Sequence, residues 1–562
     1  MAYGSVYEAV RDRYDREDAW EEFVHVGDRT ELNLADEALT RHAGSDRTGL
    51  RLRDFGTGGT ETYTFDELNA AANRVANYLE THTHPGARVG AMLPARLELY
   101  AVVFGTIKSG RVYVPLAPVF GPDALNYRVG DSGATVLFTA SEHLAKHDPG
   151  ATDVERVVLV DSAGDAADGG DGPVTVEDYE AVESHDPAFE TVPTHPNDPY
   201  TVTYTSGTTG QPKGVPSTHG GPVRLHAFTE FVVDLRPEDT YFVAASPAWS
   251  YGLTMGSIVA GMVGTAIGCY RGKFDPAMLF ETFEEFGVDN AMVPPTALRG
   301  ARAAGVDPTE YDVDLRVLLS AGEALDAETV EWCREGLGAE PQDAYGLTEG
   351  GMAVCNYAFD DWEVKPGSMG KPTPGMTVAL LDDEGQRVEQ GATGEICIRR
   401  EADAVGGYWG KPEESMDTFR GLWLRTGDLA RVDEDGYWWY AARKDSVIVS
   451  AGYRIGPGEV EETLLAHEAV GEVCVVGRPD ETRGQVVMAY VSLRPGFEAS
   501  DELQEELVSY AREQLSKHEY PREVVFLDEL PKTATGKIRR GELEARADES
   551  TDAERPGAGG GE

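Results

Sequence analysis

Tyr204-Thr205-Ser206-Gly207-Thr208-Thr209-Gly210-Gln211-Pro212-Lys213-Gly214 is the stretch on which the reading of this chain turns. It follows Tyr200-Thr201-Val202-Thr203-Tyr204, whose β-branched and aromatic residues predict a strand. Three glycines (Gly207, Gly210, Gly214), four hydroxyl side chains (Thr205, Ser206, Thr208, Thr209) and Lys213 then crowd together. Glycine lets successive backbone N–H groups turn toward an anion, hydroxyls add donors, and the ammonium adds charge. A loop built this way suits phosphate. It departs from the Walker pattern, because Gln-Pro-Lys follows Gly210 where that pattern runs directly into Lys-Ser/Thr.

Working outward, RVGAML (Arg88–Leu93) predicts a strand, Arg96–Ser109 carries helical spacing, and RVYVPL (Arg111–Leu116) predicts the returning strand. With GATVLFT (Gly133–Thr139) and VERVVLV (Val154–Val160), these imply a parallel α/β sheet. The Gly/Asp-rich DSAGDAADGGDGP that follows is a surface excursion. A second α/β stretch spans about Tyr200 to Gly350. In it Asp239–Ser246 predicts a strand, and Asp275-Pro276 an N-cap and first helical residue for AMLFETFEEF. Between Gly367 and Arg400 the texture changes to short strands and turns, with Asp383-Glu384-Gly385 as a hairpin tip, which suggests a small β-barrel over about 352–440. The expected organisation is an N-terminal domain over 1–444, a compact α+β domain over 445–547, and a disordered tail over 548–562.

The chain has 562 residues, 41% apolar and 26% charged, enough for sizeable cores. Its formal charge of −49 excludes a nucleic-acid surface, which needs a basic footprint, and argues equally against an anionic membrane. No run of 18 apolar residues is present, the first residues lack the apolar core expected of a secretory leader, and five cysteines are scattered without close pairs. A reducing cytoplasm is the expectation. Only 11 lysines stand against 38 arginines, and carboxylates are spread along the whole length. Molar salt, where the Debye length falls to about 3 Å, screens the self-repulsion of such a chain. A halophile, with a salt requirement for folding and activity, is therefore expected.

Stretches in one order now carry a resemblance. The loop is similar to [ST]SG[ST]TGxPKG of the acyl-adenylate-forming superfamily, which includes acyl-CoA synthetases, peptide-synthetase adenylation domains and luciferases. Ser320-Ala321-Gly322-Glu323-Ala324-Leu325 resembles the family's adenine-binding turn, and Asp343-Ala344-Tyr345-Gly346-Leu347-Thr348-Glu349 its signature. The resemblance implies that Tyr345 flanks adenine, Thr348 contacts the α-phosphate and Glu349 holds Mg²⁺. Trp423-Leu424-Arg425-Thr426-Gly427-Asp428 resembles the segment whose aspartate takes both ribose hydroxyls, with Arg443 as the ribose-side arginine and Asp445 at the interdomain hinge. Gly452, in Ser450-Ala451-Gly452-Tyr453-Arg454, would let a pantetheine arm pass, and Arg454 would meet phosphate. Leu530-Pro531-Lys532-Thr533-Ala534-Thr535-Gly536-Lys537-Ile538 matches the loop of the catalytic lysine, Lys537.

The family implies two αβαβα subdomains plus a barrel, a mobile C-terminal domain, and ligation of a carboxylic acid to coenzyme A through acyl-AMP, with ATP, Mg²⁺ and coenzyme A. Gly346 stands where acetyl-CoA synthetases of the family carry tryptophan, so a deeper acyl slot is expected. Trp249, Tyr251 and Gly252 would line that region. The resemblance is closest to medium-chain acyl-CoA synthetases; butyrate, branched, medium-chain and benzoate acids stay open, as do acetate or propionate. A carrier-protein-loading enzyme and a non-catalytic nucleotide sensor are the competing readings.

Overall fold

The structure is a computed structural model that describes residues 5–162, 174–205, 211–323, 325–400, 406–450, 453–480, 483–515, 520–532 and 537–553. The predicted βαβ unit forms: Arg88–Met92 and Val112–Leu116 pair in parallel, from Arg88↔Val112 to Met92↔Leu116, across the helix Leu97–Lys108. They sit inside a seven-stranded sheet ordered Thr175–Asp178, Arg156–Leu159, Ala134–Thr139, Arg88–Met92, Val112–Leu116, Pro199–Thr205, Lys213–Thr218. Every pair is parallel except the last. The helix Leu97–Lys108 is buried from Leu99 to Lys108 and lies against Phe65–His82, which starts on a Thr64/Glu67 capping box. Gly105 lets the two helices cross closely, since a Cβ there would meet the Ala72 carbonyl at 2.6 Å. Each Leu or Val buried at this contact contributes about 1.5–3 kcal/mol.

A nine-stranded sheet follows, ordered Lys371–Pro372, Gly351–Cys355, Gln342–Leu347, Val317–Ala321, Asn290–Met292, Thr240–Val243, Ala266–Arg271, Thr48–Asp54, Thr60–Thr64. Asp275 accepts from the N–H groups of Ala277 and Met278 and starts the helix Pro276–Phe286, as its sequence predicts. The hairpin Thr48–Thr64 joins this sheet by pairing with Ala266–Arg271, a long-range contact that no local pattern announces.

The third unit begins later than the expected 352. Gly351–Cys355 and Lys371–Pro372 belong to the edge of the nine-stranded sheet, because the chain turns back antiparallel after Leu347. A five-stranded antiparallel sheet then runs from Val378–Leu381 to Trp438–Arg443. Gly385, at φ +80°, forms its first hairpin tip.

After the turn Lys444–Ser446, the C-terminal unit builds a five-stranded sheet around the long pair Val470–Asp480 and Gly484–Leu493, with helices Pro457–Leu465, Asp501–Gln514 and Arg540–Ala553. Its core is its own, with Val460, Leu464, Val475, Val487 and Leu507 buried together. It rests on the strand Trp438–Arg443, where a Cβ on Gly456 would come 3.0 Å from the Ala441 carbonyl. Arg494 also reaches Glu328 at 3.2 Å. The final helix continues to Ala553, past the expected end of order at 547, and 554–562 lie outside the described residues. Among the described residues no helix is long and apolar enough to cross a membrane, and all five cysteines are free and buried.

Candidate functional site

The phosphate-type loop is the tip of a hairpin. Thr205 pairs with Lys213 and Tyr204 with Gly214, and Thr205 Oγ1 donates to the Lys213 carbonyl at 3.5 Å. Ser206, Gly207, Thr208, Thr209 and Gly210 fall outside the described residues. Their frame is tied down on both sides: Tyr204 Oη donates to Asp131 Oδ2 at 2.8 Å, and Tyr127 Oη to the Pro212 carbonyl at 2.9 Å. Position 214 demands glycine, because a Cβ would lie 2.8 Å from Val202 Cγ1 and 3.2 Å from Trp409 Cβ. Lys213 Nζ stands 4.8 Å from the centroid of the Tyr408 ring.

The nine-stranded sheet supplies the next group. Val317–Ala321 ends at Gly322, whose φ of +99° is the left-handed region open to glycine. Glu323 turns toward a neighbouring helix, its carboxylate accepting from Thr296 Oγ1 at 2.7 Å and Arg299 Nη2 at 2.6 Å. Ala324 lies outside the described residues. Asp343 opens the strand Gln342–Leu347 and is buried; that burial pushes its carboxyl up to about 8, against backbone donors from Ala344 and Leu325. At neutral pH it holds its proton.

Tyr345, two residues on, donates from Oη to Asp428 Oδ2 at 2.7 Å. Asp428 lies on the strand Trp423–Val432 of the third sheet, across from Arg443. Its other oxygen receives Arg443 Nη1 at 3.3 Å and Tyr440 Oη at 3.4 Å. Burial raises its carboxyl, while Arg443 and the tyrosine hydroxyls pull it back down. Arg443 also lies 3.5 Å from Asp445 at the start of the small domain. Thr348 and Glu349 form the turn after Leu347, and Glu349 Oε1 accepts from Tyr408 Oη at 3.0 Å. Loss of solvent pushes the Glu349 carboxyl up; the Tyr408 hydroxyl, Arg443 and Lys213 oppose that.

Lys213, Glu349, Tyr345, Asp428 and Arg443 therefore converge from three sheets, although 230 positions separate the first from the last. Lys444, the lysine of Ala442-Arg443-Lys444-Asp445, pairs with Asp383 and Glu395 of the third sheet. Lys537 is exposed on the small domain, next to the isolated bridge Lys532↔Ile538; residues 533–536 lie outside the described residues. Gly452 lies outside the described residues; Arg454 pairs with Val449 in the strand Tyr453–Ile455.

Among the residues expected to line the acyl region, Trp249 caps the short helix Ser250–Leu253 and meets Phe120 edge-on at 5.9 Å, while Tyr251 Oη lies 3.2 Å from Tyr241 Oη. Gly252 has no alternative: a Cβ would fall 2.3 Å from the Ser246 carbonyl. Gly346, where a deeper slot is expected, has a close neighbour. A register shift in the hairpin sets Gly346 across from Met352, and a Cβ on Gly346 would lie 2.6 Å from both Met352 Sδ and the Gly351 carbonyl. Met352 thus occupies the root of the space that a larger residue at 346 would claim.

Sequence reading missed Tyr408 and Tyr440. Tyr440 sits in an ordinary strand pattern. Tyr408, in Gly406-Gly407-Tyr408-Trp409-Gly410, carried one signal, two large aromatics held in a glycine-rich turn.

A large α/β domain with a smaller C-terminal one, a hairpin carrying Lys213, a shielded carboxylate beside it and a second carboxylate among hydroxyl and guanidinium donors together suit a nucleotide-handling cleft. The chain belongs to the AMP-binding enzyme family: its model matches residues 39–409, and that of the AMP-binding enzyme C-terminal domain matches 459–537. The acetyl-coenzyme A synthetase of Bacillus subtilis (strain 168) is 35% identical over 92% of this chain and 90% of its own. The benzoate–CoA ligase of Thauera aromatica is 32% identical over 91% and 95%. The crystal structure of the anthranilate CoA ligase AuaEII in complex with anthranoyl-AMP superposes with a TM-score of 0.83 at 29% identity, covering 93% of this chain and 98% of that one.

Proposed function

We propose that this protein is an AMP-forming acid–CoA ligase of the cytoplasm, joining a small-molecule carboxylic acid to coenzyme A through an acyl-adenylate. The observation that carries the reading is the convergence of Lys213, Glu349 and the Tyr345–Asp428–Arg443 group on one cleft. A carboxylate oxygen of the acid attacks the α-phosphorus of ATP and pyrophosphate leaves. The thiol of coenzyme A then attacks the acyl carbon and AMP leaves. The first step brings an anion onto a polyanion, so cations and oriented donors must offset the repulsion. Lys213 and the glycine-rich hairpin would hold the phosphates, and Asp428, an acceptor-only group when ionised, would take the ribose hydroxyls. Lys537 would meet the reacting carboxylate after rotation of the small domain about Asp445, and Gly452 would admit the pantetheine arm in the other orientation.

Glu349, a shielded carboxylate beside Lys213 and Tyr408, fits Mg²⁺, which binds through one or two carboxylates plus substrate phosphates and water. Glu349 would hold it, and when bound it would neutralise charge on the phosphates. Met352, beside Gly346, would help to set the acid's length.

Pyrophosphate exchange across a panel of acids, with CoA-dependent AMP release measured alongside, tests the reading. Acid-dependent exchange without CoA-dependent AMP release would point instead to a carrier-protein loader, and no exchange with any acid to a sensor. Lys537→Ala should abolish exchange while transfer from supplied acyl-adenylate to CoA persists. A Lys537→Ala variant that exchanges at the wild-type rate refutes the role given to that lysine.

A further inference from the structure

Tyr408 touches both charged groups that the proposed reaction sets against the triphosphate. Its Oη donates to Glu349 Oε1 at 3.0 Å, and the face of its ring carries Lys213 Nζ at 4.8 Å. Glu349 comes from the turn of one sheet and Lys213 from a strand of another, so a single side chain fixes the spacing between them. The loop that presents it is braced to the frame of the phosphate hairpin at both of its strands. Trp409 N–H donates to the Gly214 carbonyl at 2.7 Å. Lys411 Nζ reaches Asp131 Oδ1 at 2.6 Å, and the other oxygen of that carboxylate receives Tyr204 Oη. Tyr408 N–H is held by Ser415 Oγ at 2.8 Å, and Gly407, at φ +148°, would drive a Cβ to 2.7 Å from that same Oγ. So many ties are more than a surface turn needs. They fix the ring in the cleft.

Resting on the functional reading above, we propose that Tyr408 is a positioning residue for adenylation, holding Glu349 by its hydroxyl and Lys213 by its ring so that both face one metal–triphosphate group. The two contacts separate by substitution. Tyr408→Phe keeps the ring and loses the hydroxyl; Tyr408→Leu loses both.

The test is calorimetric titration of α,β-methylene-ATP, which cannot release pyrophosphate, over a range of Mg²⁺ concentrations. Tyr408→Phe should need about 10- to 150-fold more Mg²⁺ for half-maximal nucleotide binding, in line with a lost hydrogen bond to a charged group, yet approach wild-type affinity at saturating Mg²⁺. Tyr408→Leu should bind about 3- to 30-fold more weakly even there, as a lost cation–π contact requires. In both variants pyrophosphate exchange should fall further than transfer from supplied acyl-adenylate. A Tyr408→Phe variant with the wild-type Mg²⁺ dependence overturns the proposal. So does one in which both half-reactions and the melting temperature fall together, which marks a merely structural role. A wild-type protein that binds the analogue equally well without Mg²⁺ overturns the role of Glu349 itself, and is recognised because the failure appears before any substitution.

Discussion

Replacing Asp428 by Asn tests the ribose end of the cleft with almost no change in volume. In the structure one carboxylate oxygen takes Tyr345 Oη at 2.7 Å, while the other faces Arg443 at 3.3 Å and Tyr440 at 3.4 Å. An amide has a single acceptor oxygen, so whichever way it turns, an N–H₂ group meets donors on one side. The charge opposite Arg443 is lost as well. Hydrogen bonds to charged groups contribute about 1.5–3 kcal/mol each, and a buried donor left without a partner costs about 1–3 kcal/mol. The guanidinium is part-exposed and regains water, which discounts its share. Loss of one ribose hydroxyl contact together with one misdirected amide gives about 2–4 kcal/mol, or roughly 30- to 1,000-fold in ATP affinity. The assay is calorimetric binding of ATP and of 2′-deoxy-ATP to both proteins, with circular dichroism to confirm folding. Wild type should prefer ATP, and Asp428→Asn should compress that preference. A variant that binds both nucleotides more weakly but keeps the full preference between them would show that Asp428 never touches the ribose.

At the acyl end, Met352→Ala should raise kcat/KM for acids one or two methylenes longer than the best natural substrate by about 10-fold, since a methylene in an apolar pocket is worth about 1–3 kcal/mol; an acid panel checks it. Asp343 keeps its proton in the folded protein up to about pH 8, whereas the unfolded chain releases it near pH 4. The folded state therefore binds the extra proton, and stability falls as pH rises from 4 to 8 by up to about 1.4 kcal/mol per unit. Asp343→Asn should flatten that slope in denaturant melts at pH 5, 6 and 7. Dilution from molar salt into low-salt buffer should lower the melting temperature and the activity together, as self-repulsion of a −49 chain is unmasked; full stability without salt would refute that expectation.

The phosphate-type character of Thr205 to Gly214 was legible because glycines, hydroxyls and an ammonium crowd into a short spacing, and short spacing survives in a linear string. Tyr345 to Glu349 and Asp428 could be singled out only through the family resemblance of their motifs. Glu323 and Lys444 show the limit. Each lies in a motif, yet each is paired to a carboxylate or guanidinium partner far away in sequence, Arg299 for one and Asp383 for the other.

Residue order alone determined the alternation of strands and helices, the caps at Thr64 and Asp275, and the hairpin that carries Lys213, because backbone sterics, capping and periodicity act over a few residues. Only the tertiary structure decided that Tyr408 joins Glu349 to Lys213, that Met352 fills the space beside Gly346, that Thr48–Thr64 completes the second sheet, and that the third sheet starts at Val378. Those facts depend on which distant surfaces pack together. Packing is set by the sum of many weak, non-directional contacts, and no single stretch of chain encodes that sum.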